Sequence, residues 1–145
     1  MFLDITRYKD EYRSEMIGLW ERSVRATHDF LERDDIEFFK SLVEGIDFHA
    51  FEVYCVFDDG NRMVGIFGVA EGKLEMLFLS PDRIGKGIGR KMMEFVMKEL
   101  KVDKVDVNEG NTKATGFYKK FGFKVYDRMP VDDHGKAYPI LKMRL

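Results

Sequence analysis

The run Ile84-Gly85-Lys86-Gly87-Ile88-Gly89-Arg90 sets three glycines at alternate positions, with Lys86, Arg90 and Lys91 close by. Glycine takes side chains off a backbone, and the unpaired N–H groups at the start of a helix favour an anion, so this run could cradle a phosphate. Further on, Asn111, Ala114 and Tyr118 are three and then four residues apart, roughly on one helical face. Asn111 can cap that helix, and a small residue beside a phenol leaves room for a ligand next to a proton donor. Two other groups could move a proton. Glu75 stands two residues before Leu77, which in a regular strand puts both on one face. His28 titrates near neutral pH and sits in a break after an amphipathic segment. Plainer readings stand beside each: a turn that only starts a helix, a core aromatic at Tyr118, an ion pair of Glu75 with Lys73, and a helix-terminal His28 bonded to carbonyls. Asp132-Asp133-His134 before Gly135 reads as a turn.

The elements that must position these residues follow from periodicity. Phe2 to Tyr8 reads as a strand, and Tyr12, Met16, Leu19, Trp20 and Val24 recur at helical spacing. Thr27-His28-Asp29 interrupts that helix, and Ile36, Phe39, Leu42 and Val43 mark a second one ending near Gly45. Phe51 to Phe57 and Met63 to Ala70 flank Asp58-Asp59-Gly60-Asn61, a hairpin signal, and a turn at Glu71-Gly72 leads into Leu74 to Leu79. Ser80-Pro81-Asp82 breaks that strand before the glycine run, and Ile88, Met92, Phe95, Val96 and Leu100 mark a third helix. Lys104 to Val107 is a short strand and Lys113 to Phe121 a fourth helix, with Phe117 and Phe121 as its core stripe. Phe123 to Met129 and Tyr138 to Arg144 are a closing pair of strands. The order predicts an α/β sheet with helices on both faces, and no linker or repeat divides residues 1–145, so one domain is expected.

Composition narrows the function classes. Hydrophobic residues make up 45% and charged residues 34% of 145, the balance of a folded globular chain. The formal net charge of −2, with acids and bases interleaved, supplies no basic field for neutralising nucleic-acid phosphates. No stretch approaches the roughly 18 apolar residues of a membrane span, and the N-terminus has no signal-peptide core, so no membrane partner is expected. The single cysteine, Cys55, lies in an apolar run, which suits a buried, inert thiol and a reducing cytoplasm. His28, His49 and His134 lack ligand spacing with cysteine or carboxylate, so no metal is expected. A dinucleotide fingerprint would need glycine where Arg90 stands, and a P-loop would need Ser or Thr after Gly72-Lys73, where Leu74 stands. The phosphate therefore belongs to some other ligand class.

Leu77-Phe78-Leu79-Ser80-Pro81, the loop Ile84 to Gly89, and Asn111-x-x-Ala114-x-x-x-Tyr118-x-x-x-Gly122-Phe123 occur in the order and spacing of the GNAT N-acetyltransferase family, which this chain resembles. Ser23 to Leu31 and Val131 to Pro139 further resemble its small bacterial YjaB-like branch. The resemblance implies a mixed twisted sheet of about seven strands with about four helices on both faces, splayed between its fourth and fifth strands to admit acetyl-CoA. It implies that the backbone at Leu77, Phe78 and Leu79 pairs with pantetheine, and that N–H groups from Gly85, Lys86, Gly87, Ile88, Gly89 and Arg90 hold the pyrophosphate, with Ile84 opening that cofactor-binding loop. Asn111 and Ala114 would lie along the pantetheine arm and Tyr118 beside the thioester sulfur. One departure is Ile84, where the family has Gln or Arg, with Arg83 one residue early.

The implied reaction moves an acetyl group from acetyl-CoA to a primary amine, on protein lysine or a small molecule, by direct attack in a ternary complex. A lysine of pKa about 10.4 is protonated at about pH 7.5, so baring its lone pair costs about 4 kcal/mol and a base or a desolvating pocket must help. Tyr118 is expected as the general acid toward the departing sulfur and Glu75 as holder of a water that collects the amine proton. His28 and Tyr138 are expected at the acceptor site. The rival reading is a non-catalytic acyl-CoA binding or sensing module. The sequence leaves the acceptor and a homodimer open.

Overall fold

The computed structural model describes residues 2–145. Its strands are β1 (Leu3–Arg7), β2 (Glu52–Asp58), β3 (Met63–Ala70), β4 (Lys73–Leu79), β5 (Lys104–Asn108), β6 (Lys124–Met129) and β7 (Ile140–Arg144). Its α-helices are α1 (Arg13–Thr27), α2 (Arg33–Glu44), α3 (Ile88–Lys98) and α4 (Thr112–Lys120). The strands form one seven-stranded mixed sheet in the order β1-β2-β3-β4-β5-β7-β6. Every predicted element is present, and the boundaries shift by at most three residues.

Two apolar layers explain why the sheet is covered on both sides. On one face Val64, Phe67, Met92, Met93, Val96, Val105 and Met143 bury together beneath α3 and α4. On the other, Met16, Leu19, Trp20 and Ile36 of α1 and α2 close over Val53, Cys55 and Ile66. β3 lies between both layers and is apolar at nearly every position, as a strand buried on two faces must be. Cys55 is fully buried, and burial pushes its thiol up to about 12, so it is inert as expected.

Two irregularities position the site. Gly68 pairs with Met76 but Val69 pairs with Leu74, so Glu75 is an extra residue, a β-bulge in β4. Beyond the bulge, β4 and β5 separate: their parallel pairing is confined to Lys73↔Lys104 and Leu74↔Val105. The remaining N–H and C=O groups on that edge of β4 therefore face a gap instead of a neighbouring strand.

Candidate active site

The gap between β4 and β5 is a cleft of about 180 Å³, walled by Leu77 and Phe78 on one side and by Asn108, Asn111, Ala114 and Tyr118 on the other. An extended chain bearing amides fits such a gap, because the open edge of β4 can pair with it as a strand would. Leu79 lies at the end of that edge, where its partner on the other side is Gly65.

The glycine run caps α3 just past the end of β4, with Gly89 against the Leu79 side chain. Gly87 is the residue before the helix and has φ 84°, a left-handed conformation that a side chain would strain. The first bond back into the helix runs from the Lys91 N–H to the Gly87 carbonyl (3.2 Å), so the N–H groups of Ile88, Gly89 and Arg90 open outward at the positive end of the helix dipole. Gly89 serves packing: a Cβ there would come within 3.3 Å of the Phe117 ring, so its lack of a side chain lets α3 close on α4. Lys86, Arg90 and Lys91 are exposed around the loop. Ile84 is 48% exposed and makes no polar contact. Arg83 is not available to replace a polar residue at Ile84, because its guanidinium is bonded to Asp58 at 2.6 Å. Asp58 in turn also accepts the Arg62 and Gly60 N–H groups in the β2–β3 turn.

α4 delivers the second cluster. The Asn111 side-chain oxygen accepts the Ala114 N–H at 3.1 Å, the capping bond that its type and position predict, while Asn111 still lines the cleft. Tyr118 lies two turns further along and is 7% exposed, its ring edge-on to Phe117 and Phe123. Burial is the cause that raises its phenol above the ordinary value, and no hydrogen bond offsets it, so the hydroxyl stays protonated at neutral pH. No buried side-chain polar atom lacks a partner among the described residues, so this unbonded hydroxyl reaches the open cleft.

His28 closes the cleft from the other layer. It is the residue after α1, and its Nδ1 lies 2.8 Å from Thr27 Oγ1. The Thr27 hydroxyl donates to the Ser23 carbonyl at 2.7 Å, which uses its one proton, so toward His28 the oxygen must accept. Nδ1 therefore carries the imidazole proton and Nε2 keeps its lone pair. Burial holds the imidazole below its ordinary value, against a smaller opposing pull from Asp29. The helix-terminal alternative, in which the His28 ring satisfies carbonyls, is not what forms. Thr27, immediately before His28, is the one sequence signal for this relay.

Two expectations need correction. The bulge breaks the alternation on which Glu75 would share a face with Leu77: Leu74, Leu77 and Leu79 pack toward α3, whereas Glu75 lines a cavity under α1 together with Met76 and Phe78. Nor does Glu75 pair with Lys73, whose ammonium goes to Asp106 of β5 at 2.6 Å. Glu75 nevertheless borders the cleft as well. Tyr138 is occupied elsewhere: its hydroxyl donates to Asp35 at the start of α2 and accepts the Glu32 N–H at 2.9 Å. Lys136 joins the same carboxylate at 2.7 Å, so the β6–β7 loop is clasped to the α1–α2 loop. The sequence offers no local sign of this clasp, because its partners lie about a hundred residues apart. Asp132 accepts the His134 and Lys136 N–H groups, forming the expected turn before Gly135.

Comparisons with known proteins agree with this arrangement. An acetyltransferase (GNAT) domain model matches residues 50–125, the stretch from β2 to the start of β6 that holds every residue lining the cleft except His28. The peptidyl-lysine N-acetyltransferase YjaB of Salmonella typhimurium is 38% identical over 99% of this chain and 98% of its own. The solution structure of apo-form YjaB from Escherichia coli superposes with a TM-score of 0.90 at 35% identity, over 99% of this chain and 97% of that one. A Thermoplasma acidophilum PaiA N-acetyltransferase, solved in complex with coenzyme A, shares the fold at a TM-score of 0.71 and 21% identity, with both chains fully covered.

Proposed function

The chain belongs to the acetyltransferase (GNAT) family, and from that premise we propose that it moves the acetyl group of acetyl-CoA onto the side-chain amine of a lysine in a peptide or protein. The peptidyl-lysine acceptor is the activity named for its YjaB relatives. The observation that carries the chemistry is the cleft itself, where the open β4 edge and the Tyr118 phenol line one gap and β4 leads on to the α3 N-terminus.

In this reading acetyl-CoA supplies an activated thioester. The N–H groups at Ile88, Gly89 and Arg90, with Lys86 nearby, hold its pyrophosphate, and the β4 edge from Leu77 to Leu79 holds the pantetheine amides opposite Asn111 and Ala114. His28 Nε2, bare and uncharged, takes the proton that the acceptor ammonium must lose before its nitrogen can attack in the ternary complex. As the C–N bond forms and the C–S bond breaks, Tyr118 gives its proton to sulfur and is reprotonated by the proton the new amide nitrogen sheds. Glu75 supports the same traffic from the cavity side by attracting the ammonium. Tyr138 supports the acceptor side by holding the covering loops together. Residues 1–145 act as one domain, and the buried thiol suits a reducing cytoplasm.

The test is Tyr118→Phe, which keeps the ring's packing and deletes the donor. A single-turnover rate on a lysine peptide should fall about 10²-fold, the lower end for general-acid assistance because a thiolate already leaves fairly well. Acetyl-CoA affinity, measured on the same variant, should change little. A full rate in Tyr118→Phe would move the proton donor elsewhere.

A further inference from the structure

A second cavity of about 490 Å³ opens on the α1 face of the sheet and shares its wall with the cleft through Glu75, Met76 and Phe78. Trp20, Phe48, Phe51 and Ile66 supply much of the rest, and Glu75 is the one charged residue among those that line it. The volume falls within the roughly 300–1,000 Å³ of sites that hold small molecules. Its junction with the cleft is the bulge at Glu75, an exposed residue that lines both spaces beside the apolar side chains of Met76 and Phe78. A carboxylate over aromatic walls suits a cation whose neighbouring groups are apolar. A longer acyl chain on the donor would fill the same apolar space, but it would gain nothing from a carboxylate at the entrance.

We propose that this cavity is an acceptor subsite that selects lysines flanked by large apolar residues, the ammonium passing Glu75 into the cleft while the flanking side chain settles against Trp20, Phe48 and Phe51. This rests on the lysine-acetylation reading above and adds a sequence preference to it. Burying one more large apolar group is worth at least about tenfold in discrimination.

The experiment compares Ac-Phe-Lys-Phe-amide with Ac-Ser-Lys-Ser-amide at saturating acetyl-CoA, and titrates each peptide against the fluorescence of Trp20, the single tryptophan of the chain. The phenylalanine peptide should have at least about tenfold higher kcat/KM and should shift Trp20 emission on binding. In Ala70→Phe, which puts a ring into the cavity wall, the preference should fall to about twofold or less and the emission shift should vanish. Equal kcat/KM for the two peptides in the wild-type protein overturns the subsite whether or not the variant folds. So does equal use of hexanoyl-CoA and acetyl-CoA with no flank preference, which would give the cavity to the acyl chain. If neither peptide is acetylated, the lysine reading fails, and the Trp20 titration alone decides the subsite: a shift with the phenylalanine peptide upholds it and no shift overturns it.

Discussion

At the scale of single residues, the relay Ser23–Thr27–His28 decides which nitrogen of an imidazole is bare. The hydroxyl of Thr27 has one proton and spends it on a carbonyl, so the tautomer of His28 follows from donor counting. Burial disfavours the charged ring, so the folded protein keeps His28 neutral to lower pH than an exposed histidine, whose reference value is 6.5. The sign follows: activity that needs bare Nε2 is present above the lowered value and lost as pH falls through it. With both substrates saturating, the acid limb of kcat should lie below pH 6.5, and His28→Gln should remove that limb and lower the plateau by about 10²-fold. An acid limb that persists unchanged in His28→Gln would assign it to another group. Glu75 shows the limit of reading a strand by alternation. Counting by twos from Leu77 gives the wrong face, because the bulge is a property of the pairing with β3 and leaves no mark in the spacing of β4 itself.

At the scale of elements, apolar periodicity marks the helices and most strands, because each buries a stripe or face in one of two layers, while β3 feeds both layers and β6 is exposed throughout. The glycine loop was legible for the same local reason, since a helix start with left-handed Gly85 and Gly87 depends on neighbouring residues only. What lay beyond local reading were contacts between distant segments: Arg83 with Asp58, Lys73 with Asp106, and the Tyr138–Asp35 clasp. The Arg83 pair has a consequence for the loop. With that guanidinium committed, the proposed phosphate site is left to backbone N–H groups, so an added side-chain contact should matter little. Ile84→Arg should change acetyl-CoA affinity by less than about tenfold, or about 1.4 kcal/mol. Gly87→Glu places negative charge and a strained φ at the helix start and should abolish measurable binding while circular dichroism still reports α/β structure. Calorimetric titration of both variants checks this. A large gain in Ile84→Arg would mean that the loop lacks a contact it needs.

At the scale of the whole molecule, the sheet is held shut at one end of the β4–β5 seam and opened at the other. Lys73 and Leu74 pair with β5, and Lys73 also reaches Asp106 across the seam. Past the bulge the strands part, and α1 brings His28 while α4 brings Tyr118 to opposite walls of the same gap. Among the described residues no helix is long and apolar enough to cross a membrane. In the proposed reaction two substrates meet in this gap and the acetyl group passes directly between them. Initial rates with acetyl-CoA and a lysine peptide varied together test it most directly. Direct transfer gives intersecting double-reciprocal lines and one acetyl group on the lysine Nε of the product, found by mass spectrometry. Parallel lines with the acetyl group trapped on the protein, or saturable coenzyme A binding with no turnover of any lysine peptide, would contradict it.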